Sequence, residues 1–302
     1  MKVFVTGVAG QLGYDVMNEL LGRGHQAIGS DLAPEYAVKD GSAASAPYVS
    51  MDITDEARVT EVLNEVRPDA VIHCAAWTAV DLAEDEDKLP LVRAINAGGT
   101  RNIAAACKAL GCKLLYLSTD YVFSGQGETP WDPDCGDFRP LNVYGQTKLE
   151  GEQAIRDMLQ NYFIVRIAWV FGVNGKNFIK TMLRLGKTHD TVRVVCDQIG
   201  TPTYTYDLAR LLVDMIETEK YGCYHATNEG GYISWYDFTC EIFRQANLST
   251  QVIPVTTAEY GQSRAARPFN SRLDKSKLTA NGFTPLPVWQ DALKRYLREI
   301  EV

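Results

Sequence analysis

Apolar and polar positions follow two alternating rhythms along the first half of the chain. Short apolar runs are typical of buried strands, and the longer amphipathic stretches between them have helical spacing. The pattern predicts strands at 2–6, 26–30, 48–51, 70–74, 113–117 and 162–170, and helices at 11–23, 55–66, 91–110 and 142–158. Strands that alternate with helices in this way form a parallel sheet with helices on both faces.

The rhythm changes beyond residue 172, where the apolar runs become shorter and prolines interrupt them. This change predicts a smaller lobe that packs against the carboxyl ends of the strands. We expect residues 1–172 to form the sheet domain, with a later segment near 197–220 returning to it. Residues 173–196 and 221–302 are expected to form the smaller, mixed α/β lobe.

The composition narrows the classes of protein to which the chain can belong. Hydrophobic residues make up 46% of its 302 residues and charged residues 23%, as in ordinary globular proteins. The net charge of −8 argues against electrostatic binding of nucleic acid, and no apolar run predicts a membrane span. The N-terminus lacks a signal-peptide pattern and the seven cysteines form no C-x-x-C pair, so we expect a cytoplasmic protein with reduced thiols. The histidines show no metal-ligand spacing, and we expect no bound metal.

A glycine-rich segment directly follows the first predicted strand. Gly7, Gly10 and Gly13 form a G-x-x-G-x-x-G pattern that also opens the first predicted helix. Glycines at these places allow a tight turn, let the backbone approach a pyrophosphate, and let the helix pack closely on the sheet. The helix N-terminus then offers N–H groups to the phosphates. The sequence therefore predicts an NAD(P)-binding domain and an α/β fold, a Rossmann-type doubly wound parallel sheet with a smaller mixed α/β substrate lobe.

The ends of the next strands carry the other predicted cofactor contacts. Asp31 lies 18 residues beyond Gly13, where a carboxylate accepts hydrogen bonds from the adenosine ribose and repels a 2′-phosphate. No arginine or lysine adjoins Asp31 to bind a 2′-phosphate, and the nearest downstream base is Lys39. The cofactor is therefore expected to be NADH or NADPH, with NADH favoured. Asp52 is placed to reach the adenine. The complete predicted cofactor site is Gly7, Gly10, Gln11, Leu12, Gly13, Asp31, Asp52, Ile53, Ala75, Ala76, Thr78, Tyr144 and Lys148.

Three residues are predicted to carry the chemistry. Tyr144 and Lys148 form a Y-x-x-x-K pair on one face of a predicted helix, and Thr119 follows a predicted strand at the ligand-binding edge of the sheet. A tyrosine whose pKa is lowered from about 10 by a lysine and by the nicotinamide charge can protonate a carbonyl oxygen as hydride arrives. We expect Thr119 to hydrogen-bond the developing oxyanion and Lys148 to hold the nicotinamide ribose.

Several blocks of the sequence together resemble a known family, the dTDP-4-dehydrorhamnose reductases, within the extended short-chain dehydrogenase/reductase superfamily. The blocks are 10–13, 75–81, 118–123, 142–148, 166–172, 177–178, 197–203 and 267–273. They span nearly the whole chain in order. Their combination is specific, although related nucleotide-sugar enzymes share each block alone. One mild departure is Phe171, where the family often has tyrosine.

The resemblance implies reduction of the 4-keto group of dTDP-4-dehydro-6-deoxy-L-mannose to give dTDP-L-rhamnose. It implies that Thr119, Tyr144 and Lys148 are catalytic and that the partner is a dTDP-sugar substrate, with a homodimer as the expected assembly. Some members are described with Mg²⁺ at a dimer contact, but the sequence shows no ligand cluster for it. The resemblance further implies a sugar pocket of Val80, Asp120, Tyr121 and Trp169, with Asn177 and Arg267 near the nucleotide diphosphate.

One related function is not expected, and two others fit the same motifs. Dehydratases of the superfamily place Asp-Glu after the threonine, whereas Tyr121 follows Asp120 here, so elimination is not expected. Another epimerase or reductase that acts on a nucleotide sugar would keep the same tyrosine and lysine. A regulatory subunit that binds a dinucleotide without catalysis would also retain the fold. The presence of Thr119, Tyr144 and Lys148 together favours the reductase.

Overall fold

A seven-stranded parallel sheet forms the centre of the computed structural model, which describes residues 1–36 and 45–301. Its strand order is β11-β6-β5-β4-β1-β2-β3, as in doubly wound folds, so the predicted fold class is confirmed. Among the described residues, three short strand pairs lie outside it. The strands are β1 Lys2–Thr6, β2 Gln26–Asp31, β3 Tyr48–Ser50, β4 Ala70–His73, β5 Lys113–Thr119, β6 Tyr162–Ile167, β7 Val170–Phe171, β8 Thr191–Val195, β9 Ile199–Gly200, β10 Thr203–Tyr204, β11 Gly222–His225, β12 Ile233–Ser234 and β13 Gln251–Val255.

Helices cover both faces of the sheet because successive strand residues point to opposite sides. In β1, Val3 and Val5 pack with α1 and α7, whereas Phe4 packs with α2, α4 and α5. All three side chains are fully buried. The α-helices are α1 Gln11–Gly22, α2 Glu56–Val66, α3 Leu89–Arg93, α4 Thr100–Leu110, α5 Val143–Met158, α6 Phe178–Gly186, α7 Thr205–Ile216, α8 Trp235–Gln245, α9 Thr257–Tyr260, α10 Ser276–Ala280 and α11 Trp289–Glu299.

The predicted strand at 162–170 is interrupted in the structure. β6 ends at Ile167, and Trp169 has φ +50°, which takes the backbone out of the extended region. The following residues form β7, which pairs in parallel with β10. Thr203 stabilises the break, because its hydroxyl donates to the Ala168 carbonyl at 2.6 Å and its N–H donates to the Trp169 carbonyl at 3.0 Å. The apolar run at 162–170 is continuous in sequence, but the backbone changes direction within it at Trp169.

The predicted helix at 91–110 also differs from the structure. The helical run starts at Leu89 and contains a π-helical segment, Ala94–Gly99, before α4 begins. Such segments interrupt α-helices at functional sites more often than elsewhere. Asn96 lies in this segment and is buried, so its amide needs partners inside the protein.

The expected division into lobes needs one correction. Residues 222–225, expected in the smaller lobe, form β11, which pairs in parallel with β6 at the edge of the main sheet. Leu278, Phe283 and Leu286 also pack into the core beneath that sheet. The chain therefore returns to the sheet domain later than the pattern of prolines indicates, because edge strands can be short and carry little signal.

The smaller lobe has its own core. Helices α6, α8 and α11 pack with the parallel pair β8 and β13, and the buried side chains there include Phe171, Phe238, Trp289 and Tyr296. This core connects to the main sheet through β7, which follows β6 along the chain and contributes Phe171 to it. Within the described ranges, no helix has the length and apolarity that crossing a membrane requires.

Candidate active site

A cavity of about 1020 Å³ opens at the carboxyl ends of the parallel strands, where ligands bind in this class of sheet. The segments that follow β1, β2, β3, β4, β5 and β6 contribute to its walls, together with the start of α5. Apart from Asn177 and Arg267, every residue predicted to bind cofactor or sugar or to act in catalysis lines it. These are Gly7, Gly10, Gln11, Leu12, Gly13, Asp31, Asp52, Ile53, Ala75, Ala76, Thr78, Val80, Thr119, Asp120, Tyr121, Tyr144, Lys148 and Trp169.

The glycine loop leaves the end of α1 open to an anion. Gly7 has φ +73°, and a Cβ on Gly13 would lie 2.2 Å from the Gly7 carbonyl oxygen, so both positions require glycine. Gly10 caps α1 without a side-chain hydrogen bond, and the first turn contains no acidic residue. The first N–H groups of the helix are therefore free to bind phosphate oxygens.

Asp31 and Asp52 stand at the rim of the cavity with their carboxylates already engaged. Asp31 accepts hydrogen bonds from the N–H groups of Ala9 and Leu32, at 2.9 and 2.8 Å. It thereby ties the glycine loop to the end of β2. Asp52 accepts from the N–H and hydroxyl of Thr54, both at 2.8 Å. Lys39, the base weighed in the choice of cofactor, lies outside the described residues.

The structure brings the three predicted catalytic residues together from two elements. Thr119 ends β5 and accepts a hydrogen bond from the Tyr121 N–H at 3.2 Å. Tyr144 lies in the first turn of α5, and Lys148 follows one turn later. The Asn142 side chain caps this helix by accepting from the Gly145 N–H at 2.8 Å. Because the cap sets where α5 begins, it also sets where Tyr144 meets Thr119.

Burial controls the protonation of Tyr144 and Lys148. It raises the pKa of Tyr144 above that of free tyrosine, and nearby Asp120 adds to the rise while a hydrogen bond with Thr119 opposes it. The sequence predicts a pKa lowered by Lys148 together with the nicotinamide charge. In the protein alone, burial dominates and the shift is upward. Burial also lowers the pKa of Lys148 to about 7, with Glu152 opposing the change.

Asp120 is a buried carboxyl group beside the catalytic residues. It accepts a hydrogen bond from the Thr119 hydroxyl at 3.0 Å. Burial raises its pKa to about 6, and hydrogen bonds with Ser271 and Thr119 oppose that rise. The group can therefore change protonation close to neutral pH. Its position next to the cavity suits a hydrogen bond to a sugar hydroxyl.

A second cavity of about 400 Å³ adjoins the first. Tyr121 and Trp169 line both cavities and form the wall between them. The Trp169 ring stacks on Trp235 with centroids 3.7 Å apart, and its backbone has the positive φ described above. The Tyr121 ring meets Tyr144 edge to face at 5.6 Å. The two cavities together form a bipartite site that meets near Tyr144.

Arg267 lines the second cavity, as its predicted role near a diphosphate requires. Its guanidinium donates to Asp81 at 2.6 Å and to the Tyr121 hydroxyl at 3.2 Å. Asn177 does not join it. The Asn177 side chain caps α6 by accepting from the Lys180 N–H and donates to Gln11 and Tyr296. Asn177 lines neither cavity. Its amide joins α1 to the smaller lobe, and its place near the diphosphate stays a prediction.

Asn96 was missed by the sequence analysis although it supports the site. Its side chain accepts from the Trp77 N–H at 2.9 Å and donates to the Thr147 hydroxyl at 3.1 Å. It therefore connects the loop after β4 to the catalytic helix α5. The available signal was an asparagine inside a predicted helix, where this residue competes with the backbone for hydrogen bonds.

A buried ion pair behind the site was also missed. Glu152 and Arg166 are both fully buried, and Arg166 donates to the two carboxylate oxygens at 2.8 and 2.7 Å. Glu152 also accepts from the Ser118 hydroxyl at 2.6 Å. This network joins α5 to the ends of β5 and β6. Among residues 1–36 and 45–301, no group of histidine, cysteine and acidic side chains is arranged to hold a metal ion.

Fold and site together define an NAD(P)-binding oxidoreductase of the short-chain dehydrogenase/reductase type. The sequence profile of the RmlD substrate binding domain matches residues 1–302, and the chain belongs to this family.

Named relatives match almost the whole chain. The dTDP-4-dehydrorhamnose reductase of Streptomyces griseus is 42% identical over 88% of this chain and 88% of that protein. The spore coat polysaccharide biosynthesis protein SpsK of Bacillus subtilis is 36% identical over 99% and 97%. A crystal structure of the Bacillus anthracis dTDP-4-dehydrorhamnose reductase in complex with NADP has a TM-score of 0.88 and 40% identity, covering 99% of this chain and 100% of that chain. The Clostridium acetobutylicum enzyme has a TM-score of 0.90 and 39% identity, with both chains fully covered.

Proposed function

We propose that this protein reduces the 4-keto group of dTDP-4-dehydro-6-deoxy-L-mannose to give dTDP-L-rhamnose, with a nicotinamide dinucleotide as reductant. The observation that carries the proposal is that Thr119, Tyr144 and Lys148 all line the large cavity, next to Tyr121 and Trp169, which line both cavities. The large cavity has room for a dinucleotide and a sugar, and the second cavity has room for the nucleotide of the substrate. Relatives over 30% identical carry the same activity in their names.

Tyr144 is the proton donor of the proposed reaction. Its raised pKa keeps the phenol protonated at neutral pH, which suits a group that must deliver a proton to the carbonyl oxygen. NAD(P)H supplies the hydride when bound. Thr119 stabilises the negative charge that develops on the oxygen, because its hydroxyl lies beside the phenol and can turn from Asp120 toward the substrate. Lys148 orients the cofactor ribose from the floor of the cavity.

The charged part of the substrate is proposed to lie beside Arg267. Its guanidinium is partly exposed and has donors that reach the second cavity. Asp81 pairs with the arginine at 2.6 Å and would compete with a diphosphate for it. Trp169 stands between this position and Tyr144, where its ring can pack against the hexose. Asp120 and Val80 complete the proposed sugar pocket.

NADH is proposed as the favoured cofactor, on the strength of the Asp31 carboxylate at the end of β2. We also propose a cytoplasmic protein that forms a homodimer. Cell fractionation and light scattering of the purified protein test these two points. Tighter binding of NADPH than of NADH in a fluorescence titration would refute the cofactor preference.

The activity is tested with dTDP-4-keto-6-deoxyglucose, a 3,5-epimerase and either NADH or NADPH. The protein is expected to consume the reduced cofactor, which is followed by the fall in nicotinamide absorbance, and to form dTDP-L-rhamnose. Isomerisation of a nucleotide sugar without net oxidation of the cofactor would instead identify an epimerase. Cofactor binding with no turnover of any sugar nucleotide would identify a regulatory subunit.

A further inference from the structure

The catalytic lysine rests on an aromatic ring that the proposed reaction does not use. The Lys148 Nζ lies 4.1 Å from the centroid of the Tyr116 ring, within the range of a cation–π contact. Tyr116 is fully buried in β5 and precedes Thr119 by three residues. We propose that Tyr116 is a positioning residue that holds the Lys148 ammonium in place for the cofactor by this contact. The proposal rests on the proposed function, since it assigns Lys148 to the cofactor ribose.

Three contacts hold the Tyr116 ring beside the lysine. Its hydroxyl donates to the Lys148 carbonyl at 3.3 Å, so the side chain contacts both ends of the same residue. A Cβ on Gly151 would lie 2.7 Å from the Tyr116 hydroxyl, and only the lack of a side chain there leaves room for it. The ring also stacks against His73 at 5.6 Å, which limits its rotation. β5, α5 and His73 therefore hold the Tyr116 ring in a single position.

The other ionisable groups around Lys148 are neutral or already paired, so the Tyr116 ring is the contact for the ammonium charge. Burial lowers the pKa of His73 to about 3 and raises that of Cys74 to about 12, so both are neutral at pH 7. Tyr144 is neutral for the reason given above. The Glu152 carboxylate is the nearby anion, but it is occupied by Ser118, Arg156 and Arg166. In the described part of the chain no carboxylate forms an ion pair with Lys148.

This arrangement decides whether the lysine is charged. Burial removes water from the ammonium and favours the neutral amine. The electron-rich face of the Tyr116 ring favours the ammonium, and it does so more strongly because the contact is desolvated. A ring with a less electron-rich face should therefore lower the pH at which Lys148 loses its proton. The pH at which the protein releases the cofactor should fall with it.

The test replaces Tyr116 by phenylalanine and then by phenylalanines with one, two and three ring fluorines. Fluorine withdraws charge from the ring face while nearly preserving its shape, so packing in the core is retained. The dissociation constant of NADPH is measured by tryptophan fluorescence across a range of pH, without any sugar nucleotide. Because only the cofactor is used, the result can be interpreted even if the sugar assigned above is wrong.

Tyr116→Phe is expected to bind NADPH within about twofold of the parent. From phenylalanine to its trifluoro form, the alkaline midpoint for loss of affinity is expected to fall in steps by about one pH unit in total. Lys148→Met should abolish that midpoint, and Leu114→Ala should leave it unchanged. Leu114 is a matched control because it lies on the same face of β5 and in the same core as Tyr116.

Three results would overturn the proposal. The first is a midpoint that stays constant across the fluorinated series. The second is an equal shift in Leu114→Ala, which would reduce the role of Tyr116 to packing. The third is a midpoint that persists in Lys148→Met, which would assign it to another group. Melting temperatures recorded alongside verify that each variant is folded.

Discussion

Arg267→Lys tests whether this arginine holds the charged part of the substrate. The guanidinium donates to Asp81 at 2.6 Å and to the Tyr121 hydroxyl at 3.2 Å. Lysine keeps the charge but has one ammonium in place of a planar fork, so it cannot bind two phosphate oxygens in parallel. A hydrogen bond to a charged group contributes about 1.5–3 kcal/mol, so losing one is expected to raise KM roughly 10-fold to 150-fold.

Steady-state kinetics with the dTDP-sugar measure this change, and fluorescence titration measures cofactor affinity. NADH and NADPH should bind within about twofold of the parent, because Arg267 lines the second cavity and not the first. Arg264→Lys is the matched control. Arg264 lies three residues earlier, pairs with Asp85 at 2.7 Å and has a side chain that is 67% exposed. A KM for Arg267→Lys close to that of the parent, or an equal rise in the control, would refute the assignment.

The remaining predictions concern catalysis, cofactor choice and stability. Tyr144→Phe should lower kcat by about 10²–10⁴-fold with the cofactor dissociation constant nearly unchanged. Lys148→Ala should lower both kcat and the affinity for the cofactor. Retained turnover in Tyr144→Phe would contradict the proton-donor role. Asp31→Asn should improve the affinity for NADPH relative to NADH in fluorescence titration, since it removes a charge that repels the 2′-phosphate. Burial raises the pKa of Asp15 to about 7. The folded protein therefore holds a proton that the unfolded chain releases above about pH 4, and stability falls as the pH rises from about 4 to 7. Asp15→Asn should accordingly raise Tm at pH 8 more than at pH 5, and an equal change at both would refute the linkage.

The sequence alone determined the parts of the site that depend on neighbouring residues. The glycine loop, with Gly7 and Gly13, encodes a tight turn between a strand and a helix, and such a turn needs no distant partner. Tyr144 and Lys148 lie four residues apart in α5, which places them on one face wherever the helix packs. Alternating strand and helix signals predicted six of the seven sheet strands, because most of these elements carry a clear apolar period.

Only the tertiary structure decided the features that depend on distant residues. The break at Trp169 is stabilised by Thr203, and the short β11 is a strand only because β6 lies beside it. Arg267 meets Asp81 from 186 positions away. Tyr144 has a raised pKa because packing removes water from it, whereas its local pattern predicted the opposite shift. Periodicity records which face of an element is buried, but it contains no information on what covers that face or on how much water remains.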